Sequence, residues 1–327
     1  MRTPPEQRPA AAGPTPQPEL DEQRLPDPRL HQLSARDYRA ILVRAVKEAL
    51  DDGITNLAGA LAYQWFLSLP SILLIVVGAF GYVAGPGTVD SMLAHLQGVA
   101  PPEALHLLRT TLIPQVQNQR GNVALIAVGS ALALWSATSS MMALIWALNV
   151  AYERRETRGF LRTRLTALLM FLCTFGAIAL CFGVLVLGPY MTGWIGSSLG
   201  MESLLSWLWW VAQWPVLIAC LLTVFALLYY LGPNVAHPRW QFITPGSVLA
   251  VAVWLGASAL FAFYASRFDS FNKAWGLVST VIVLLTWLWL TSIALVFGAE
   301  VNSEAERSRE LRMGEPAQER LRAPAKA

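Results

Sequence analysis

The chain has 327 residues; 55 % are hydrophobic, only 14 % are charged, and the mean hydropathy is +0.46. Those totals exclude an ordinary soluble domain. The net charge of +3 is small, and the placement of the basic residues accounts for them without a nucleic-acid partner.

The charges are clustered. Windows 53–89, 121–152, 165–201, 203–236, 240–266 and 274–299 contain no Asp, Glu, Lys or Arg. Each exceeds the roughly 20 residues that carry a helix across a bilayer. The pattern predicts an all-α polytopic membrane protein with six transmembrane helices, at about 57–83, 123–150, 166–187, 207–231, 244–265 and 277–299. With the N-terminus in the cytoplasm, 20 of the 24 Lys and Arg fall on the inner side, so both termini are expected to be cytoplasmic. Three domains follow: a tail at 1–33, a membrane domain at 34–302 and a charged cytoplasmic tail at 303–327, which is expected to begin as a helical extension before Gly314.

Residues 1–33 carry eight prolines and no apolar core, so a disordered tail without a cleavable signal peptide is expected. Ser34 and Asp37 then form a capping-box pair. Tyr38, Ile41, Leu42, Ala45, Val46 and Ala49 recur at helical spacing beside Arg39, Arg44 and Lys47. The amphipathic helix they predict either lies on the inner leaflet or packs beneath the bundle.

The first span, NLAGALAYQWFLSL before Pro70, has a polar arc of Asn56, Tyr63, Gln64, Ser68 and Ser71. Pro70 leaves the Phe66 carbonyl without its usual donor. A helix so marked is expected to face protein or a wet cavity. The outer segment 88–120 opens a short surface helix at Pro101-Pro102-Glu103, and His95 and His106 there are too isolated to suggest a metal.

In the second span Trp135, Ser139, Met142, Trp146 and Asn149 share a face, either as a close helix contact or as a solute-facing wall. The loop after it holds Arg154, Arg155, Arg158, Arg162 and Arg164, a topological signal or a site for anionic lipid headgroups. The third span is expected to end near Gly188-Pro189, with a glycine-rich outer turn at 190–206. Tryptophans 207, 209, 210 and 214 and the pair Tyr229-Tyr230 mark the interfaces of the fourth. Ala252-xxx-Gly256 in the fifth suits close helix approach. The sixth ends at Glu300, an acid with no adjacent base, whose role is either structural or contact with a proton or headgroup. Cys173, Cys181 and Cys220 all lie in apolar runs and are expected to be free thiols.

Four blocks in this order resemble the YihY/virulence factor BrkB family: AGALAYQWFLSLPSILL, the stretch 133–165 with ALWSATSS and its arginine-rich end, ITPGSVLAVAVW, and 264–302 with FGAEVN. Gln64 departs from the family pattern, where a second Tyr is usual. The resemblance implies a bacterial inner-membrane location and a six-helix fold, but no settled reaction. The substrate-cavity candidates are Asn56, Tyr63, Gln64, Ser68, Trp135, Ser139, Asn149 and Glu300. They favour a transporter or flippase-like protein for a lipid-like or amphipathic anion over a scaffold that binds lipids, envelope proteins or a second copy of itself. No catalytic, metal or cofactor constellation is expected, and a nuclease lacks paired carboxylates or clustered histidines on one side.

Overall fold

A computed structural model describes residues 34–83, 123–235, 243–265, 277–313 and 317. The expected tail at 1–33, the outer segment 88–120 and the turn Arg267–Trp275 lie outside the described residues. The described elements are all α-helices: α1 (Ala35–Asp51), α2 (Ile54–Val83), α3 (Val123–Ala151), α4 (Phe160–Leu199), α5 (Glu202–Leu231), α6 (Pro245–Ala265) and α7 (Leu277–Arg312).

Five segments are long and apolar enough to cross a bilayer: Ala131–Ala151, Phe160–Leu185, Ser203–Leu231, Pro245–Tyr264 and Val281–Arg312. The expected first span forms as α2, a helix of 30 residues with no charged side chain. The six expected spans thus meet five qualifying segments among the described residues.

Two boundaries differ from expectation. Instead of ending near Gly188-Pro189, α4 runs to Leu199 with Pro189 inside it, and only Gly200, in the left-handed region at φ +66°, and Met201 separate it from α5. A proline removes one backbone bond, whereas a helix end in hydrocarbon would strand several carbonyls. At the C-terminus, the charged segment from 303 continues α7 to Arg312, the helical extension expected before Gly314, but it is mostly buried where a solvated tail was expected. At 1.5 Å per residue, the 36 residues of α7 exceed a hydrocarbon core of about 30 Å, so its charged end lies beyond the apolar stretch that stops at Ala299.

The chain divides into two compact units. The smaller, 64–140, holds the later part of α2 and the earlier part of α3. Within it the Ser68 hydroxyl is buried, donating to the Gln64 carbonyl at 2.8 Å and reaching the Ser136 carbonyl at 3.4 Å.

The larger unit, 1–63 with 141–327, pairs α4 with α5, α6 with α7, α1 with α7, and α5 with α6. Cys181 of α4 and Cys220 of α5 face each other and are joined, leaving Cys173 free. Three free thiols were expected because hydropathy places cysteines in spans but says nothing of which spans are neighbours. The tight α6–α7 approach is made by Gly246 and Gly298: a methyl group on Gly298 would meet the Tyr229 hydroxyl and the Ala250 side chain. Gly256, in the small-residue pattern, has nothing within 4 Å of such a methyl.

Candidate functional site

The site lies at one end of the larger unit, here called the polar end, where α1, the start of α2, the 152–159 loop and the end of α7 converge. Ser34 starts α1: its hydroxyl accepts from Asp37 N at 3.3 Å, while the Asp37 carboxylate accepts from Ser34 N at 2.7 Å. Gly53, at φ +66°, ends the helix and lets α2 begin one residue later, a conformation that costs a side-chain-bearing residue about 1 kcal/mol or more.

The inward face of α1 is mixed. Ile41 and Ala45 pack on Val301 and Ala305 of α7, with Tyr38, Leu249 and Phe297 around them. Charged groups cross the same seam. Arg44 Nε donates to Glu304 Oε2 at 2.7 Å, and its Nη2 also donates to Ser308. Arg312 Nη2 donates to Asp37 Oδ2 at 2.7 Å. Arg307 pairs with Glu304 at 2.8 Å, Glu48 at 3.6 Å and Glu153. The helix predicted to lie on the leaflet or under the bundle therefore packs against α7. Its other face exposes Leu42, Val43, Val46 and Leu50 beside Arg36, Arg39 and Lys47.

Glu300 sits at the inner edge of this seam. It is 2 % exposed, and its Oε1 is buried without a hydrogen-bond partner. Asp52, Glu304, Glu48 and Glu153 act on it, all of the same sign. Tyr152 is equally buried, and its hydroxyl bonds Asn302; burial, then Glu306 and Glu300, push that phenol above its ordinary range. Asn302 also ties α6 to α7, accepting from Gly246 N at 2.9 Å. Trp289 Nε1 donates to the Thr55 carbonyl at 3.1 Å, fastening the first turn of α2 to α7.

The basic loop forms a second network. Arg158 donates to both Glu156 oxygens, at 2.8 and 2.7 Å, and to the Gly232 carbonyl at 2.7 Å. It thereby caps the C-terminal end of α5, where a cation meets the negative end of the helix dipole. Asn149 Nδ2 donates to Glu156 at 2.9 Å and its Oδ1 accepts from Asn234 N at 2.7 Å. Asn234 Nδ2 closes the loop on the Arg155 carbonyl and the Thr157 hydroxyl. Burial alone would raise the Glu156 carboxyl; the hydrogen bonds and charge of Arg158, with the Asn149 amide, hold it below the ordinary carboxylate range.

The predicted residues are distributed unevenly. Asn149 and Glu300 are buried at the polar end, in the two networks just described. Asn56 and Tyr63, also in the larger unit, are exposed. In the smaller unit Ser68 is buried, Gln64 and Ser139 are half-buried, and Trp135 is 56 % exposed. Of the five loop arginines, Arg155 and Arg162 are exposed, Arg154 and Arg164 are half-buried, and Arg158 is committed to Glu156 and α5 rather than turned to headgroups.

Sequence reasoning missed Arg44, Glu304, Arg307 and Arg312. A signal existed: Glu300, Glu304, Arg307 and Leu311 follow helical spacing, as do Asp37, Ala40, Arg44 and Glu48. Among the described residues no three His, Cys, Asp or Glu side chains are grouped to hold a metal ion.

The profile of the family described as Virulence factor BrkB matches residues 45–322, from α1 past the end of α7. The chain belongs to the BrkB family. It is a multi-pass membrane protein. Ribonuclease-like protein YfkH of Bacillus subtilis is 30 % identical over 251 residues, covering 77 % of this chain and 90 % of that relative. A UPF0761 membrane protein of Tolumonas auensis is 26 % identical, with 91 % and 95 % covered. Another, of Aromatoleum aromaticum, is 25 % identical over 79 % of this chain, which spans 62 % of that relative's length. No solved structure matches this BrkB-family chain. The family's match takes in the whole loop network and the α7 side of the seam, and begins one residue after Arg44.

Proposed function

We propose that this BrkB-family protein moves an amphipathic anion of the lipid class across a bacterial inner membrane, with the polar end and both termini in the cytoplasm. The observation that carries the reading is the seam between α1 and α7, where buried ion pairs, Arg44–Glu304, Arg307–Glu304 and Arg312–Asp37, replace part of an apolar contact. Buried ion pairs rarely outdo well-packed apolar side chains in stability. Their advantage is that the separated charges are well solvated, so such a seam opens to water more readily than an apolar one. That suits a gate. Hinges are available in the same chain, because α2, α4 and α5 each carry an internal proline, Pro70, Pro189 and Pro215. Exposed Arg36, Arg39, Lys47, Arg155 and Arg162 supply the attraction for an anion at that end.

The test is reconstitution in vesicles with a fluorescent phosphatidylglycerol and, separately, a fluorescent phosphatidylcholine. The reading requires faster exchange of the anionic lipid between leaflets than in protein-free vesicles. No movement of either lipid or of a small organic anion would remove it. A lipid-binding or scaffold role is the second reading, favoured by the exposed apolar and basic face of α1; it predicts retention of anionic lipid through purification without any movement in vesicles.

A further inference from the structure

We propose that Glu300 is a proton-binding site that latches the polar end, closed while the carboxyl holds its proton and released when the proton leaves. The inference rests on the gate reading above and adds the proton as the ligand of that gate.

The geometry makes the carboxyl an acid without a counter-charge. Glu300 is 2 % exposed, and Oε1 is buried and unpartnered. Burying a lone carboxylate is so unfavourable that the group takes up a proton instead. The groups that face it from the elements packed around it are acidic or phenolic. From α1 comes Glu48, from the following turn Asp52, from the 152–159 loop Glu153 and the Tyr152 phenol, and from α7 itself Glu304. The guanidinium groups at the seam are already engaged: Arg44 with Glu304 and Ser308, Arg307 with Glu48, Glu153 and Glu304, and Arg312 with Asp37.

The surrounding acids also supply a route. The side chains of Glu48 and Glu153 are 37 % and 29 % exposed, against 2 % for Glu304. Carboxyls thus run from water toward Glu300, each able to relay a proton. Loss of the proton would add a negative charge to a group of four acids, three of which are held by Arg44 and Arg307. Repulsion would bear on Glu48 and Asp52, which lie on α1 and its exit turn, and so on the seam that α1 makes with α7.

The sign follows from linkage. The latched state holds the proton to higher pH than an open, hydrated state does. Latching is therefore full at acid pH, below the open-state value of roughly 4.3, and weakens as pH rises toward the latched-state value. The loss is at most about tenfold per pH unit.

The experiment is hydrogen exchange of residues 35–51 in lipid nanodiscs at pH 5, 6, 7 and 8, for the wild type and Glu300→Gln. Intrinsic exchange rates are common to both proteins and cancel in the ratio. The ratio of wild-type to variant exchange should already be several-fold above one at pH 5, because the open-state value is roughly 4.3, and should climb with pH by up to about tenfold per unit. A ratio that stays flat overturns the proposal. Should Glu300→Gln not fold, the infrared spectrum of the wild type decides: a protonated-carboxyl band must persist at pH 7, where exposed acids are ionised, and its absence overturns the proposal. Lack of transport with the pH response intact would remove the transport reading and leave the latch. Transport with a flat ratio would remove the latch alone.

Discussion

Arg44 and Glu304 stand 260 residues apart in the chain, and their side chains meet at 2.7 Å, with 7 % and 2 % of their surfaces exposed. The contact joins the first described helix to the last. Because Glu304 also holds Arg307, which holds Glu48 and Glu153, one buried acid coordinates α1, α7 and the 152–159 loop. The pair does more to set which helices meet than to add stability, since its desolvation offsets much of its attraction.

Removing one partner is another matter. Arg44→Ala leaves Glu304 buried with half its compensation, and the expected loss is about 3–5 kcal/mol of unfolding free energy. Arg39→Ala, on the exposed face of the same helix, should change it by less than about 0.5 kcal/mol. Denaturant titration in a fixed detergent, followed by tryptophan fluorescence, compares the two. Equal effects would show that the seam is not a buried ion-pair contact.

The loop network gives a pH prediction. The folded-state pKa of Glu156 is depressed, with Arg158 as the stabilising cause against burial. Its contribution is therefore fully present above the unfolded value of about 4.3 and is lost as pH falls through the lower folded value. Wild type should exceed Glu156→Gln in melting temperature at pH 7, and the gap should close below about pH 4. A gap that widens with acid would reverse the assigned sign.

The class of fold was legible because hydrocarbon imposes so strict a rule: a helix that enters it must stay helical and uncharged until water returns, and six uncharged windows announce it. The capping box at Ser34 and Asp37 was legible too, being a local bond between neighbours. What escaped the sequence was pairing. Hydropathy cannot tell that Cys181 meets Cys220, nor that Gly246 rather than Gly256 makes the close approach. The charged end of α7 read as a tail because charge usually means solvent; its opposite charges on α1 lie far off in sequence, so the compensation that permits its burial is invisible until both helices are placed.

The exposed basic residues give the proposed function a graded test. Charge reversal at Arg36, Arg39 and Lys47 should slow leaflet exchange of an anionic lipid several-fold, with little effect on a zwitterionic one. The difference should shrink as salt rises from about 0.01 to 1 M, because the Debye length falls from about 30 to 3 Å. A salt-independent loss would place these residues in folding rather than attraction. The three side chains are exposed and lie off the seam, so unfolding in denaturant should be unchanged.

Gly298 and Gly256 separate close packing from mere small-residue spacing. On Gly298, a methyl group would run into the Tyr229 hydroxyl, Ala250 and the Gly246 backbone. Tyr229 cannot simply swing aside, because it is 2 % exposed and donates to the Leu295 carbonyl at 2.9 Å. Overpacking of this kind is expected to cost about 1–3 kcal/mol. Gly256 is exposed in mid-helix with open space beside it, so Gly256→Ala should be neutral or stabilise by up to about 1 kcal/mol through helix propensity. Unfolding of the two variants in the same detergent decides. If Gly256→Ala proved the more damaging, a partner helix outside the described residues or a second copy of the chain would have to cover that face.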